Sequence, residues 1–311
     1  MVLPVVHHQV SFWSGPDRLD GELRLPGTPG PHPVLVVVGE PDRRERDYSP
    51  WLDDLTFAGF ASYTWDRPAQ PTPPVPRPRR VAVQAREVLA ALDRLRCLPE
   101  LGGGPVALIG WGEGGWAAAQ VTTFSDEVCA LVLACTPGPA AAPRSGRTEP
   151  GRTEPGRTEP GCTELGRTEP DAGHHDPGPT LSAVTVPVLA LFGEQDPLVP
   201  AADGVRSVRG TLRDAGHPDH DVAVVRGADH GLRVRAPHGL GPIVDGRHRF
   251  GDWPPGLTAL LARWLDRALC PQPVPSFAPP LQAPLVRGGV RGRTPLPAAV
   301  PVRQVRRRVP R

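Results

Sequence analysis

The stretch from Val106 to Ala119, VALIGWGEGGWAAA, constrains the fold of this chain more than any other. An apolar run enters a turn built of Gly110, Gly112, Gly114 and Gly115 and leaves at once into a helix-favouring Trp-Ala-Ala-Ala segment. A buried strand that passes into a helix with no loop between them is a unit of a parallel sheet covered by helices. The glycines mark where strand and helix run within contact distance.

The flanking sequence repeats this alternation. Val34–Val38 (VLVVV) has no polar residue, as expected of a strand buried on both faces of a parallel sheet. Helices are expected over Pro50–Ala58, Arg79–Leu98, Gly114–Thr123 and Ala201–Ala215, and strands over Ala61–Asp66, Val106–Ile109, Val128–Cys135, Val186–Phe192 and Asp221–Arg226. A last amphipathic helix, Gly256–Leu269, carries Leu257, Leu260, Leu261, Trp264, Leu265, Ala268 and Leu269 on one stripe. Before all of these, His8–Ser14 and Leu19–Leu25 flank the turn Gly15–Arg18 and predict an antiparallel hairpin at a sheet edge. The fold class is therefore α/β: a doubly wound, mostly parallel sheet with an N-terminal antiparallel hairpin.

Two stretches stand outside the alternation. Residues 146–170 are five tandem pentapeptides: GRTEP three times, GCTEL, then GRTEP. A period of five fits neither helix nor strand, and one leucine in the whole array cannot offset the entropy of ordering it. The expected organisation is an N-terminal half-domain over 1–136, a disordered insertion over 137–179, a C-terminal half-domain over 180–270, and a disordered Pro/Arg-rich tail over 271–311.

Charge follows the same division. The tail holds eight arginines and no acid, so the net +2 of the chain leaves the remaining body six negative. A basic face for nucleic acid is not expected on the folded part, and the Arg306–Arg308 cluster reads as a solvated terminus. The five cysteines, Cys97, Cys129, Cys135, Cys162 and Cys270, lack metal-ligand or CxxC spacing and read as reduced thiols. No apolar run reaches the roughly 18 residues of a membrane span, and Met1–Val10 does not resemble a signal peptide. The expectation is a cytoplasmic protein that binds neither membrane nor nucleic acid, with its oligomeric state open. His174–His175–Asp176 and His217–Pro218–Asp219–His220 sit in Pro/Gly-rich loops without further ligands at fixed spacing, so no metal and no cofactor is expected. His7–His8 reads as strand-edge decoration.

The strand–turn–helix around Gly112 resembles the nucleophile elbow, G-x-S-x-G, of α/β-hydrolases of the dienelactone-hydrolase and prolyl-oligopeptidase-like esterase type, many of which carry GHSEGG there. This chain has GWGEGG, so the resemblance puts Gly112 at the nucleophile position and leaves that position vacant. Taking Glu113 as nucleophile instead would put Trp111 where the elbow needs a tiny residue.

The resemblance continues in the family's chain order. GEQDPLVP after Val188–Phe192 is similar to the acid loop and implies Asp196 as the acid. GADHGL is similar to the histidine loop and implies His230 as the base. VVVGEPDRRERD resembles the loop after the third strand, which with the residue after the nucleophile supplies the oxyanion hole. Those donors would be the backbone amides of Glu40 and Glu113, beside Pro41, which has no N–H. YTWDRP (Tyr63–Pro68) resembles the strand and loop after the first helix, and the pentapeptides fall where the family carries its lid.

Glycine offers no atom to attack an acyl carbon. The expected function is a catalytically impaired pseudo-hydrolase. The alternative is a weak or relic esterase, thioesterase or dienelactone hydrolase on small acyl substrates, a small acyl or ester compound being the ligand in either case. The bland readings are that Asp196 caps a turn, that His230 is incidental, and that Glu113 stabilises a helix start through the macrodipole; the last is the one favoured here. Serine restored at position 112 is expected to raise esterase activity, against the strain of a positive φ.

Overall fold

The structure, a computed structural model, describes residues 4–40, 49–67, 76–139, 175–234, 243–244, 247–248, 253–254 and 256–269. The pentapeptide repeat lies outside the described residues, as does the tail unit Pro273–Arg311.

Eight strands form one sheet in the order β1-β2-β4-β3-β5-β6-β7-β8. The strands are β1 (Val6–Ser14), β2 (Asp17–Leu25), β3 (Val34–Val38), β4 (Ala61–Trp65), β5 (Val106–Trp111), β6 (Val128–Ala134), β7 (Val188–Gly193) and β8 (His220–Val225). The hairpin β1–β2 is antiparallel, pairs in turn antiparallel with β4, and leaves β1 at the edge. From β4 to β8 every pairing is parallel.

The six helices named here are α1 (Ser49–Phe57), α2 (Arg77–Arg96), α3 (Gly114–Thr122), α4 (Gly178–Ala183), α5 (Ala201–Asp214) and α6 (Leu257–Leu269). The two-residue periodicity of a strand sorts β3 between the two faces. Val34, Val36 and Val38 join the cluster under α2, α3, α4 and α5, whereas Leu35 and Val37 join the one under α1 and α6. All five are buried, and each contributes roughly 1.5–3 kcal/mol relative to an exposed position.

Two differences from the sequence expectation have simple causes. Leu260 is 37% exposed although it shares a stripe with buried Leu257, Leu261, Trp264 and Leu265. The core below α6 is narrower than the apolar arc that the sequence offers it. Helix α4 was not expected, and its first residues fall inside the span assigned to the insertion. It is only six residues long, yet Leu181 anchors it with full burial, and Asp176 Oδ1 accepts the amide of Gly178 (2.9 Å) at its start. A single apolar residue in a Pro/Gly-rich stretch carries no periodicity to read.

Among the described residues, no helix is long and apolar enough to cross a membrane.

Candidate active site

Parallel strands put the loops at their C-terminal ends side by side, and β3, β5 and β7 lie within one stretch of the sheet order. β5 ends at Trp111, the chain turns at Gly112 with φ +50°, and α3 begins two residues later. The turn leaves no space for side chains. A β-carbon on Gly110 would collide with the backbone of Gly115, and one on Gly114 would meet the carbonyl oxygens of Val38 and Gly39, the latter at 2.7 Å. The glycine frame is therefore a packing requirement. It presses the elbow against the end of β3, and Gln84 of α2 pins that end by donating to the Gly39 carbonyl (2.6 Å).

Pinned there, Glu40 sends its side chain over Gly112. A β-carbon on Gly112 would collide with Oε1 and lie 2.6 Å from Cδ and 2.8 Å from Cγ of Glu40. The carboxylate stands in the space that a side chain at the elbow would need.

Asp196 follows β7. Its Oδ1 accepts the amides of Leu198 (2.8 Å) and Val199 (2.9 Å), which fixes the carboxylate, and its Oδ2 lies 2.7 Å from Nδ1 of His230. The loop carrying His230 is tied to the acid loop by the Gln195 amide, which donates to the Ala228 carbonyl (2.8 Å). It is shaped internally by Asp229 Oδ1, which accepts the amides of Gly231 and Arg233. The indole N–H of Trp111 donates to the His230 carbonyl across 2.9 Å. Trp111, excluded as a flank of the nucleophile on grounds of size, is buried and holds the histidine loop from below. Nothing in the sequence signals that bond, because the two residues are 119 positions apart.

The other ring nitrogen of His230, Nε2, lies 3.0 Å from Glu40 Oε1. The imidazole thus sits between two carboxylates, with side-chain exposures of 21% for Glu40, 9% for His230 and none for Asp196. Burial by itself pushes the imidazole down, but the hydrogen bonds to Asp196 and Glu40 and the charges of both outweigh it and carry the pKa up to about 9. Asp196 moves the other way: burial would raise it, and the His230 bond together with the Val199 and Leu198 amides lowers it. A carboxylate at each ring nitrogen favours the imidazolium, which would donate from both.

Cys135, read from the sequence only as a reduced thiol, is fully buried at φ +49° just after β6. Its sulfur, an Asp196 oxygen and a His230 nitrogen lie within 4.8 Å of one another. Burial first, and the Asp196 charge next, push the thiol well above its usual range, so it stays protonated.

Glu113 does not act as a cap. It occupies the N-cap position of α3 without a side-chain cap bond. Its carboxylate pairs instead with Arg77 (2.7 Å) and Arg80 (3.0 Å) of α2. The carboxylate still stands at the start of α3, where a helix macrodipole favours negative charge, and two guanidiniums of α2 hold the side chain. Pro41 lies outside the described residues. His217 Nε2 is engaged by the Val186 carbonyl (3.0 Å) and His220 Nδ1 lies 3.1 Å from the His217 carbonyl, so both histidines serve the turn into β8. Described Cys97, Cys129 and Cys135 are free thiols.

No protein-family model matches the chain, and no curated protein matches it. Solved structures do. The chain is similar to a dienelactone hydrolase-like promiscuous phosphotriesterase from metagenomic libraries, with TM-score 0.58 and 19% identity over 85% of this chain and 99% of that one. It is similar to the acylaminoacyl peptidase of Pyrococcus horikoshii, with TM-score 0.59 and 15% identity over 87% of this chain and 43% of that one. It is also similar to a dienelactone hydrolase from Anabaena variabilis, with TM-score 0.52 and 17% identity over 86% of this chain and 97% of that one. At such identities the likeness speaks for architecture: the mostly parallel eight-stranded sheet with its N-terminal hairpin is an α/β-hydrolase fold.

Proposed function

We propose that this α/β-hydrolase-fold protein is a pseudo-hydrolase with respect to serine chemistry, in which Gly112 stands at the nucleophile position and Asp196 and His230 are retained members of the acid–base pair. The observation that carries this reading is the Glu40 carboxylate lying over Gly112 in the space of the missing side chain. With Nε2 engaged by Glu40 and the imidazole protonated, His230 is also in the wrong state to accept a proton from a hydroxyl.

A fluorophosphonate probe and an unactivated alkyl ester such as ethyl acetate test this reading on the purified full chain. No covalent labelling and no turnover above buffer is the expected result. Stoichiometric labelling at any serine, abolished by His230→Ala, would end it.

A second reading, an esterase or thioesterase on small acyl compounds, is favoured by one specific observation. The Asp196–His230 bond is intact at 2.7 Å, with the Asp196 carboxylate oriented by two further amides. An acid so fixed orients the imidazole as acyl-transfer chemistry requires. The ligand proposed for either reading is a small acyl or ester compound, with the backbone amides of Glu40 and Glu113 as donors to its carbonyl oxygen. We place the protein in the cytoplasm and propose no nucleic-acid or membrane partner, from the charge distribution and the absence of long apolar segments in the sequence.

A further inference from the structure

We propose that Glu40 serves as the nucleophile of this site, delivered from the loop after β3 instead of from the elbow, and that its substrates are activated acyl compounds. The inference rests on the esterase reading above and supplies the attacking atom that reading lacks.

The geometry makes the substitution specific. A serine at the elbow would present its oxygen above position 112 and within hydrogen-bond reach of the histidine. Here Glu40 Oε1 occupies that space and stands 3.0 Å from His230 Nε2, while His230 Nδ1 is held by Asp196 at 2.7 Å. Bare Gly112 is what admits the carboxylate, since a β-carbon would collide with it. Glu40 keeps 21% of its side chain exposed, while the imidazole and Asp196 behind it are covered. A nucleophilic oxygen next to an oriented histidine is the general arrangement for covalent catalysis, and carboxylates are among the groups that perform it.

The chemistry selects the substrate. A carboxylate is a weaker nucleophile than a serine alkoxide and a better leaving group than an alkyl alkoxide. An ordinary alkyl ester would therefore expel Glu40 again. An aryl oxide, enolate or thiolate is also more basic than a carboxylate, so acylation goes forward only because His230 Nε2 protonates such a group as it departs, which does not suffice for a far more basic alkyl oxide.

In the first half-reaction a Glu40 oxygen bonds to the acyl carbon, and the carbonyl pair moves to oxygen. On collapse the bond to the leaving group breaks, and that group takes the Nε2 proton of His230. A mixed anhydride on Glu40 and a neutral imidazole remain. In the second, His230 removes a proton from water as its oxygen bonds to the acyl carbon. The anhydride C–O bond then breaks, Glu40 leaves as carboxylate, and the product carboxylic acid gives its proton to solvent. The sum is ester plus water to acid plus alcohol, with carboxylate and imidazolium restored.

The test uses the full chain with phenyl acetate, ethyl acetate as the unactivated control, and rapid acid quench followed by mass analysis of the intact protein and of the peptide containing Glu40. The expected result is phenol release from phenyl acetate only, an acetyl adduct on the Glu40 peptide, and loss of both in Glu40→Gln. His230→Gln should slow phenol release by about 10²–10⁴-fold. Phenyl acetate turnover that persists in Glu40→Gln, or that proceeds in the wild type with no adduct on Glu40, overturns the nucleophile and leaves the esterase reading standing. No turnover of either ester overturns both. The adduct is sought on the wild-type chain, so a variant that misfolds does not blunt the result.

Discussion

Glu40 Oε1 and His230 Nε2 lie 3.0 Å apart, joining the end of β3 to a loop 190 residues further along the chain. The contact exists because position 112 has no side chain. The glycine, the carboxylate and the imidazolium form one unit, and a change in any of them is expected to disturb the other two.

The first expectation concerns protonation. His230 should titrate near 9 by proton NMR of its ring signals, and Glu40→Gln should lower that value by removing a charge and weakening a bond. Among the described residues, the titratable groups facing the ring are Glu40, Asp196 and the neutral Cys135 thiol. Because the folded-state value lies above the ordinary 6.5, the stabilisation from this cluster is complete below about pH 6.5 and disappears as pH rises through 9. At the acid end Asp196, whose carboxyl is lowered from 3.8, withdraws its share as pH falls through that lowered value. Wild-type melting temperature should therefore decline between pH 6.5 and 9, and His230→Gln should flatten the decline. Parallel curves for the two proteins would contradict the assignment.

Restoring serine at position 112 does not suffice. Its β-carbon would collide with the Glu40 carboxylate, so that side chain must swing away and give up His230. The backbone at φ +50° adds about 1–3 kcal/mol of strain for a non-glycine residue. Gly112→Ser alone is expected to fold with reduced stability and little alkyl-esterase activity. The pair Gly112→Ser with Glu40→Ala should gain turnover of ethyl acetate and become reactive to fluorophosphonate. Equal activity in the single and double variants would show that Glu40 does not obstruct the elbow.

Trp111→Phe keeps the aromatic packing against Trp51 and Trp253 but removes the donor to the His230 carbonyl. A buried hydrogen bond lost from one side costs about 1–3 kcal/mol. The histidine loop should loosen along with it, seen as faster amide exchange across residues 229–233 than across β5. Unchanged exchange in that loop would place the histidine's support elsewhere.

Two glycine-to-alanine changes should differ in sign. Gly110→Ala drives a methyl into the Gly115 backbone and should destabilise by about 1–3 kcal/mol. Gly210→Ala, in the middle of α5 with nothing within 4 Å of the added carbon, should stabilise by about 0.4–1 kcal/mol. Denaturant midpoints of the two variants check the contrast.

What the sequence by itself determined is everything carried by local pattern. β3, β6 and β7 are legible because a strand buried on both faces must be apolar throughout. Gly110 and Gly114 are legible because close backbone approach there admits no other residue, and they bracket position 112. The order of elbow, acid loop and histidine loop marks Gly112, Asp196 and His230 for the same reason, since each follows an apolar strand. Glu40 is legible in the sequence as a backbone donor of the oxyanion hole and as nothing more. Only the tertiary structure decided that this side chain crosses to Gly112 and reaches His230, that Arg77 and Arg80 draw Glu113 away, and that Trp111 and Cys135 line the histidine and the acid. These are relations between side chains from different strands and helices, separated by 33 to 190 positions. Periodicity reports which face of its own element a residue occupies. It carries no information about the distant residue that folding sets opposite, and at this site those distant pairings decide which atoms can react.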